Sequence, residues 1–191
     1  TLPFVEQIFA NCEDEMSRGA FNRKLFLARR RAEQELTQVD ERSYILSLSS
    51  ETINYKGMVM PEALPEFFLD LKNKNMETSA CVFHQRFSTN TLPEWRLAQP
   101  FRYLAHNGEI NTIQGNRFWA EARKKYLQSD LLGDISDIQP IISSYGSDSM
   151  SLDNMLELMQ ISGMSIIQAM KILMPPAWQA NEMMDSDIKA F

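Results

Sequence analysis

The chain has 191 residues, a mass of 22.1 kDa, 44% hydrophobic residues, a net charge of −6 and a pI near 5.0. That length and composition suit one soluble domain with a sizeable core, and the acidic balance argues against a partner gripped through nucleic-acid phosphates. No apolar run approaches the roughly 18 residues of a membrane span, nothing at the start has signal-peptide character, and Cys12 and Cys81 form neither CxxC nor Cys/His metal spacing.

Pro3 suits the first turn of a short helix through Asn11. Phe21, Leu25, Ala28, Ala32 and Leu36 recur at helical spacing over residues 21–36. Arg29-Arg30-Arg31, flanked by acids on that pattern, reads as a solvated face. Tyr44, Leu46 and Leu48 alternate within residues 43–49, as do Ile53, Tyr55 and Val59 within 52–60. Their short join at Ser49-Ser50-Glu51 predicts an antiparallel hairpin. Residues 61–71 read as a short helix limited by two prolines. Residues 80–87 and 101–105 read as strands, the second delivering Asn107 and Gly108 at its end. A helix follows over residues 111–127, with Phe118, Trp119, Ala122 and Tyr126 expected inward. Residues 138–144 suggest another strand, broken by Pro140. The turn Gly146-Ser147-Asp148-Ser149 offers Asp148 or Ser149 as a helix cap. Helices are expected over residues 152–161 and 166–174, divided at Gly163 and stopped by Pro175-Pro176. Strands in the middle with helices before and after predict an α+β domain.

Three features can carry chemistry. Arg86, at the end of an apolar segment, can pair in bidentate fashion with a carboxylate; it can equally pair with an internal acid to hold its loop. Ser88, Thr89 and Asn90 add polar side chains beside it. Asn107-Gly108 can direct a side-chain amide and a backbone N–H at one spot, as oxyanion stabilisation requires; it can also be a simple turn. Asp148 can receive an ammonium group or cap a helix. His84 and His106 read as hydrogen-bonded packing residues, Cys81 as a buried, inert thiol, and the twelve methionines as core filling. No phosphate loop, HExxH or dinucleotide fingerprint is present.

The segments 83–91, 97–116 and 146–158 together resemble the class II glutamine amidotransferase domain of glutamate synthase large subunits. Weaker likeness runs through 44–60 and 175–178. The resemblance implies an N-terminal nucleophile hydrolase fold, a four-layer αββα sandwich, with residues 1–191 forming part of a single glutaminase domain within a larger protein. Here that sandwich would lack its N-terminal strands, which predicts unpaired sheet edges and association. It implies hydrolysis of L-glutamine to glutamate and ammonia, with the ammonia passing to a synthase site that aminates 2-oxoglutarate.

Carried onto this sequence, Arg86 and Thr89 would hold the glutamine α-carboxylate, with Asn90 beside them. Asn107 and the Gly108 N–H would form the oxyanion hole, and Asp148 would take the α-ammonium with help from Gly108. Gln99 stands where other class II amidotransferases often carry a histidine that contacts the substrate carboxylate. The family's nucleophile is a cysteine at the first position of the mature chain; Thr1 is not that residue, and neither Cys12 nor Cys81 carries a free α-amine. The 191 residues alone are therefore expected to be inactive. Cofactors are expected elsewhere in the parent, as FMN and an iron–sulfur cluster, and no metal here. Expected partners are L-glutamine, the FMN/synthase domains of the same chain, and a small electron-donating subunit or ferredoxin, with no nucleic acid or membrane. The expected location is the cytoplasm, or a plastid in a photosynthetic eukaryote. The alternatives are a non-catalytic glutamine-binding module and an interaction module that docks through its Met-rich final helices.

Overall fold

Ser17 opens the longest helix of the computed structural model, which describes residues 2–12, 15–86, 92–142, 146–175, 177, 179–186 and 189. Its hydroxyl accepts the Ala20 N–H at 3.3 Å, satisfying one of the amides that a helix start leaves unpaired. The helix α1 then runs Arg18–Val39 and buries Asn22, Leu25, Phe26 and Arg29 along one face. A short helix α2, Leu64–Phe67, sits between 3-10 turns at Pro61–Ala63 and Leu69–Lys72. Helix α3 spans Gln114–Arg123, α4 spans Asp148–Ile161 and α5 spans Ile166–Leu173.

Ser147 caps α4 by accepting the Met150 N–H at 3.1 Å, so Asp148 is the first helical residue and not the cap. Gly163, at φ 98°, ends the turn after α4 in a conformation that favours glycine. Ser165 and Gln168 then form a reciprocal capping box that starts α5. The apolar core joins Phe26 of α1, Leu158 and Ile161 of α4, and Leu132, Ile135, Ile138 and Ile141 from the segment between α3 and α4.

Beside that core lies a buried ion network. Arg29, 1% exposed, binds Glu33 at 2.6 Å and Glu157 across the α1–α4 interface. Arg30 binds Glu33 at 2.8 Å and the Pro140 carbonyl. Arg102 reaches Glu33 at 3.1 Å and the Asn154 Oδ1 at 3.2 Å, and Asp153 accepts the backbone N–H groups of Arg102 and Tyr103. Burial favours neutral Arg29, but Glu157 and Glu33 together outweigh it and raise its pKa. Burial dominates at Asp153 and pushes its carboxyl upward against those N–H bonds and Arg102. The triple-arginine run is thus not a solvated face: Arg31 alone of the three has a half-exposed side chain, at 53%. Glu157, drawn from α4 and distant in sequence, pulls Arg29 inward, while Arg30 is held by Glu33 and the carbonyls of Ile138 and Pro140.

The predicted αββα sandwich is overturned. Among the described residues there is no strand, only an isolated antiparallel bridge between Ser129 and Gly133. Residues 43–60, 80–86 and 101–105 are irregular, and side chains satisfy their main chain where ladders were expected. Asn54 donates to the carbonyls of Pro100 and Phe101, Lys56 to that of Arg96, and Arg102 to that of Ile45. Alternating apolar residues report a two-sided environment, which such bracing supplies without a paired backbone. With no strand among the described residues, the expected sheet-edge association loses its basis.

Other expectations also fail. Residues 3–11 are not helical. Phe118, Trp119 and Tyr126 point outward, at 65%, 64% and 82% exposure, and Ala122 is exposed too. Helix α3 is instead tied down through Arg117, which donates to Ser151 Oγ and to the carbonyls of Gly146 and Ser147. Cys81 is an exposed thiol, as is Cys12. The residues 138–144 begin in a 3-10 turn at Ser136–Ile138 and continue without strand pairing through 142, the rest lying outside the described residues.

Candidate functional site

Three loops meet around two histidines. The first is the segment ending at Arg86; Thr89 and Asn90 lie outside the described residues. Its His84 Nδ1 accepts the Arg86 backbone N–H at 3.1 Å. A nitrogen that accepts carries no proton, so the ring proton sits on Nε2. That Nε2–H donates to the Asn107 side-chain oxygen at 2.9 Å and to the His106 carbonyl at 3.1 Å.

The second loop, residues 99–108, is held from within. The Gln99 carboxamide, 8% exposed, accepts the His106 N–H at 2.8 Å and donates to the His106 carbonyl at 3.2 Å. Asn107 and Gly108 follow, both exposed. A Cβ at Gly108 would meet His106 Nδ1 at 3.8 Å, an ordinary contact, so folding does not demand glycine there.

The third is the start of α4. His106 Nε2 lies 2.7 Å from Ser149 Oγ, and Ser149 donates its hydroxyl to Asp148 Oδ1 at 3.1 Å and its N–H at 2.6 Å. With the Ser149 proton directed to Asp148, the short contact to His106 makes Nε2 the donor. Asp148 sits in the first turn of α4, where the helix dipole favours a negative charge. Hydrogen bonds therefore run unbroken from the Arg86 main chain through His84, the 106–107 loop and Ser149 to the Asp148 carboxylate.

The structure brings Arg86, Gln99, Asn107, Gly108 and Asp148 into one connected region. Arg86 is exposed, and Asp148 is half-buried. The sequence reads the two histidines at the centre as hydrogen-bonded packing residues; the structure shows both hydrogen-bonded, with partners that link the three loops. Their spacing, two residues before Arg86 and one before Asn107, is the only sequence signal that tied them to the loops. A cavity of about 80 Å³ lies elsewhere, between α1 and α4, lined by Asn22, Arg23, Tyr103, Glu157 and Gln160 among others. It borders the ion network and is not this region. Among the described residues no group of three His, Cys, Asp or Glu could hold a metal, and no helix is long and apolar enough to cross a membrane.

A family model described as class-II glutamine amidotransferases matches residues 1–191. The chain is 39% identical over 193 residues to the glutamate synthase [NADPH] large chain of Bacillus subtilis, covering 100% of this chain and 13% of that protein. It is 44% identical over 183 residues to the chloroplastic ferredoxin-dependent glutamate synthase of Oryza sativa, covering 94% and 11%. Against the glutamate synthase [NADH] of Saccharomyces cerevisiae it is 38% identical over 191 residues, covering 99% and 9%. The chain thus spans about a tenth of the length of these relatives.

Proposed function

The chain belongs to the class-II glutamine amidotransferases, and we propose that it is the substrate-holding part of the glutaminase domain of a glutamate synthase. One observation carries the reading: the hydrogen-bond chain that joins the Arg86 segment, the Asn107-Gly108 loop and Asp148. These groups match the three parts of the substrate. Arg86, with Thr89 and Asn90, takes the α-carboxylate of glutamine. Asp148 offers Oδ2 to the α-ammonium, because Oδ1 is engaged by Ser149. The carboxamide then lies toward Asn107 and Gly108.

When a nucleophile attacks the carboxamide carbon, the carbonyl oxygen becomes anionic. The Asn107 amide and the Gly108 N–H stabilise that charge as donors fixed before the reaction begins. The attack falls to a nucleophile outside this set, since neither Cys12 nor Cys81 carries a free α-amine to act as its base. Collapse of the tetrahedral species expels ammonia, and hydrolysis releases glutamate. Gln99 acts here as a brace for the loop through His106, not as a contact to substrate.

In the parent, ammonia would pass to a domain that aminates 2-oxoglutarate with electrons delivered by a flavin and an iron–sulfur cluster. The described residues offer no ligand set for an iron–sulfur cluster: the cysteines are single and exposed, and no metal-holding cluster is present among them. Relatives named for NADPH, NADH and ferredoxin match at 38–44% identity, so the electron donor is set outside this segment. A cytoplasmic or plastid location fits this reading.

The test is ammonia release from L-glutamine by the full natural chain, alongside calorimetric glutamine binding, with Arg86→Ala and Asp148→Asn as variants. Turnover in the wild type with binding weakened at least tenfold in both variants is the expected result. Full-strength binding in both variants would overturn the assignment of the clamp. Binding without turnover in the wild type would make the domain a glutamine-binding module.

A further inference from the structure

An oxyanion donor works only if its N–H points at the developing charge. Asn107 is an exposed side chain at the end of a loop, with a two-fold choice of amide orientation. Something must break that symmetry. The Arg86 main chain does so at one remove, by donating to His84 Nδ1 and fixing the ring proton on Nε2. A donor at 2.9 Å demands an acceptor, so the atom of Asn107 facing His84 is its oxygen. The amide NH2 is then turned away from His84. The same Nε2–H also bonds the His106 carbonyl at 3.1 Å, which ties the ring to the loop backbone as well as to the side chain.

We propose that His84 is a positioning residue that sets the amide orientation of Asn107 and so presents its N–H2 to the oxyanion. It rests on the glutaminase reading above. His84 touches no reacting atom, and its effect on oxyanion stabilisation passes through Asn107. The histidine also couples the carboxylate-binding segment to the oxyanion loop. A change in the backbone at Arg86 moves the acceptor geometry at Nδ1, and with it the donor at Nε2.

The test uses the full natural chain and measures glutaminase kcat and KM for the wild type, His84→Leu and His84→Gln. Leucine removes the donor, whereas the glutamine amide can place an N–H close to the position of Nε2. His84→Leu should lower kcat by about 10- to 100-fold, the range set by misplacing one oxyanion donor. Its KM for glutamine should change less than kcat, because no side chain that contacts the α-carboxylate or α-ammonium is replaced. His84→Gln should recover most of the lost kcat. In an Asn107→Ala background, His84→Leu should cost no further activity.

A kcat in His84→Leu within twofold of wild type overturns the proposal. So do equal losses in Leu and Gln variants, or losses that multiply in the Asn107→Ala background, since both describe a histidine that only supports the fold. The wild-type control separates the two levels: an inactive wild type that also fails to bind glutamine defeats the glutaminase reading itself, whereas an active one with an indifferent His84 defeats this inference alone.

Discussion

Arg29→Met removes one guanidinium from a buried cluster in which Arg29, Arg30 and Arg102 face Glu33, Asp153 and Glu157. The Glu157 side chain is 9% exposed, and after the change its remaining cationic neighbour is Arg102 Nη1 at 3.9 Å. A buried carboxylate stranded in this way costs about 3–5 kcal/mol, a large share of the roughly 5–15 kcal/mol that holds a domain folded. With a urea dependence of about 2 kcal/mol per molar, the midpoint should fall by about 1.5–2.5 M. Adding Glu157→Leu leaves two guanidiniums against two carboxylates and replaces a desolvated charge with apolar volume. The double variant should therefore recover to within about 1–2 kcal/mol of wild type. Urea unfolding of the 191-residue chain, followed by far-ultraviolet circular dichroism, reads Arg29→Met, Glu157→Leu and the double variant. A double variant as unstable as the sum of its single losses would show that the charges act independently, and the network argument would fall.

Lys56 is buried against the Phe101 ring and donates to the Arg96 carbonyl at 2.8 Å; burial first, then Arg102, brings its pKa down to about 8. The folded chain releases this proton near pH 8 and the unfolded chain near 10.5, so unfolding takes up a proton between those values and stability rises with pH there. Lys56→Met should remove up to about 3 kcal/mol of that rise, seen by comparing urea midpoints at pH 7.5 and 10; an unchanged slope refutes the burial argument. Gly57→Ala would place a Cβ 2.4 Å from Trp95 Cζ3, and should cost at least about 1–3 kcal/mol in thermal or urea unfolding. Gly108→Ala meets no such clash and keeps its backbone N–H, so its melting temperature should stay within about 2 °C of wild type, whereas Asn107→Ala, which removes the side-chain donor, should lower glutamine turnover at least tenfold. Retained turnover in Asn107→Ala would remove Asn107 from the oxyanion site.

The long helices were legible because their signals are local. Apolar spacing marked α1, and the Gly163 break separated α4 from α5 within a few residues of their observed ends. The expected strands were not, since a ladder depends on which backbone lies alongside, and alternation cannot report that. The outward face of α3 shows the same limit from the other side. Phe118, Trp119 and Tyr126 have helical spacing, but Arg117 decides which face turns to the protein by reaching Ser151. Arg29 was misread because the acid that draws it inward, Glu157, lies 128 residues away. The candidate site was legible as separate residues, Arg86, Asn107 and Asp148. What joins them, through His84 and His106, needs three loops to meet.

Gln99 does for residue 106 what a neighbouring strand would otherwise do, offering one acceptor and one donor to the same residue's N–H and C=O. A sheet supplies such a rung from main chain, whose hydrogen-bonding groups hardly vary with amino-acid identity. A carboxamide supplies it from a side chain, whose loss takes one point mutation. The placing of the Asn107-Gly108 loop is thus written in a single codon. A lineage can retune that loop at Gln99 without disturbing the helices around it.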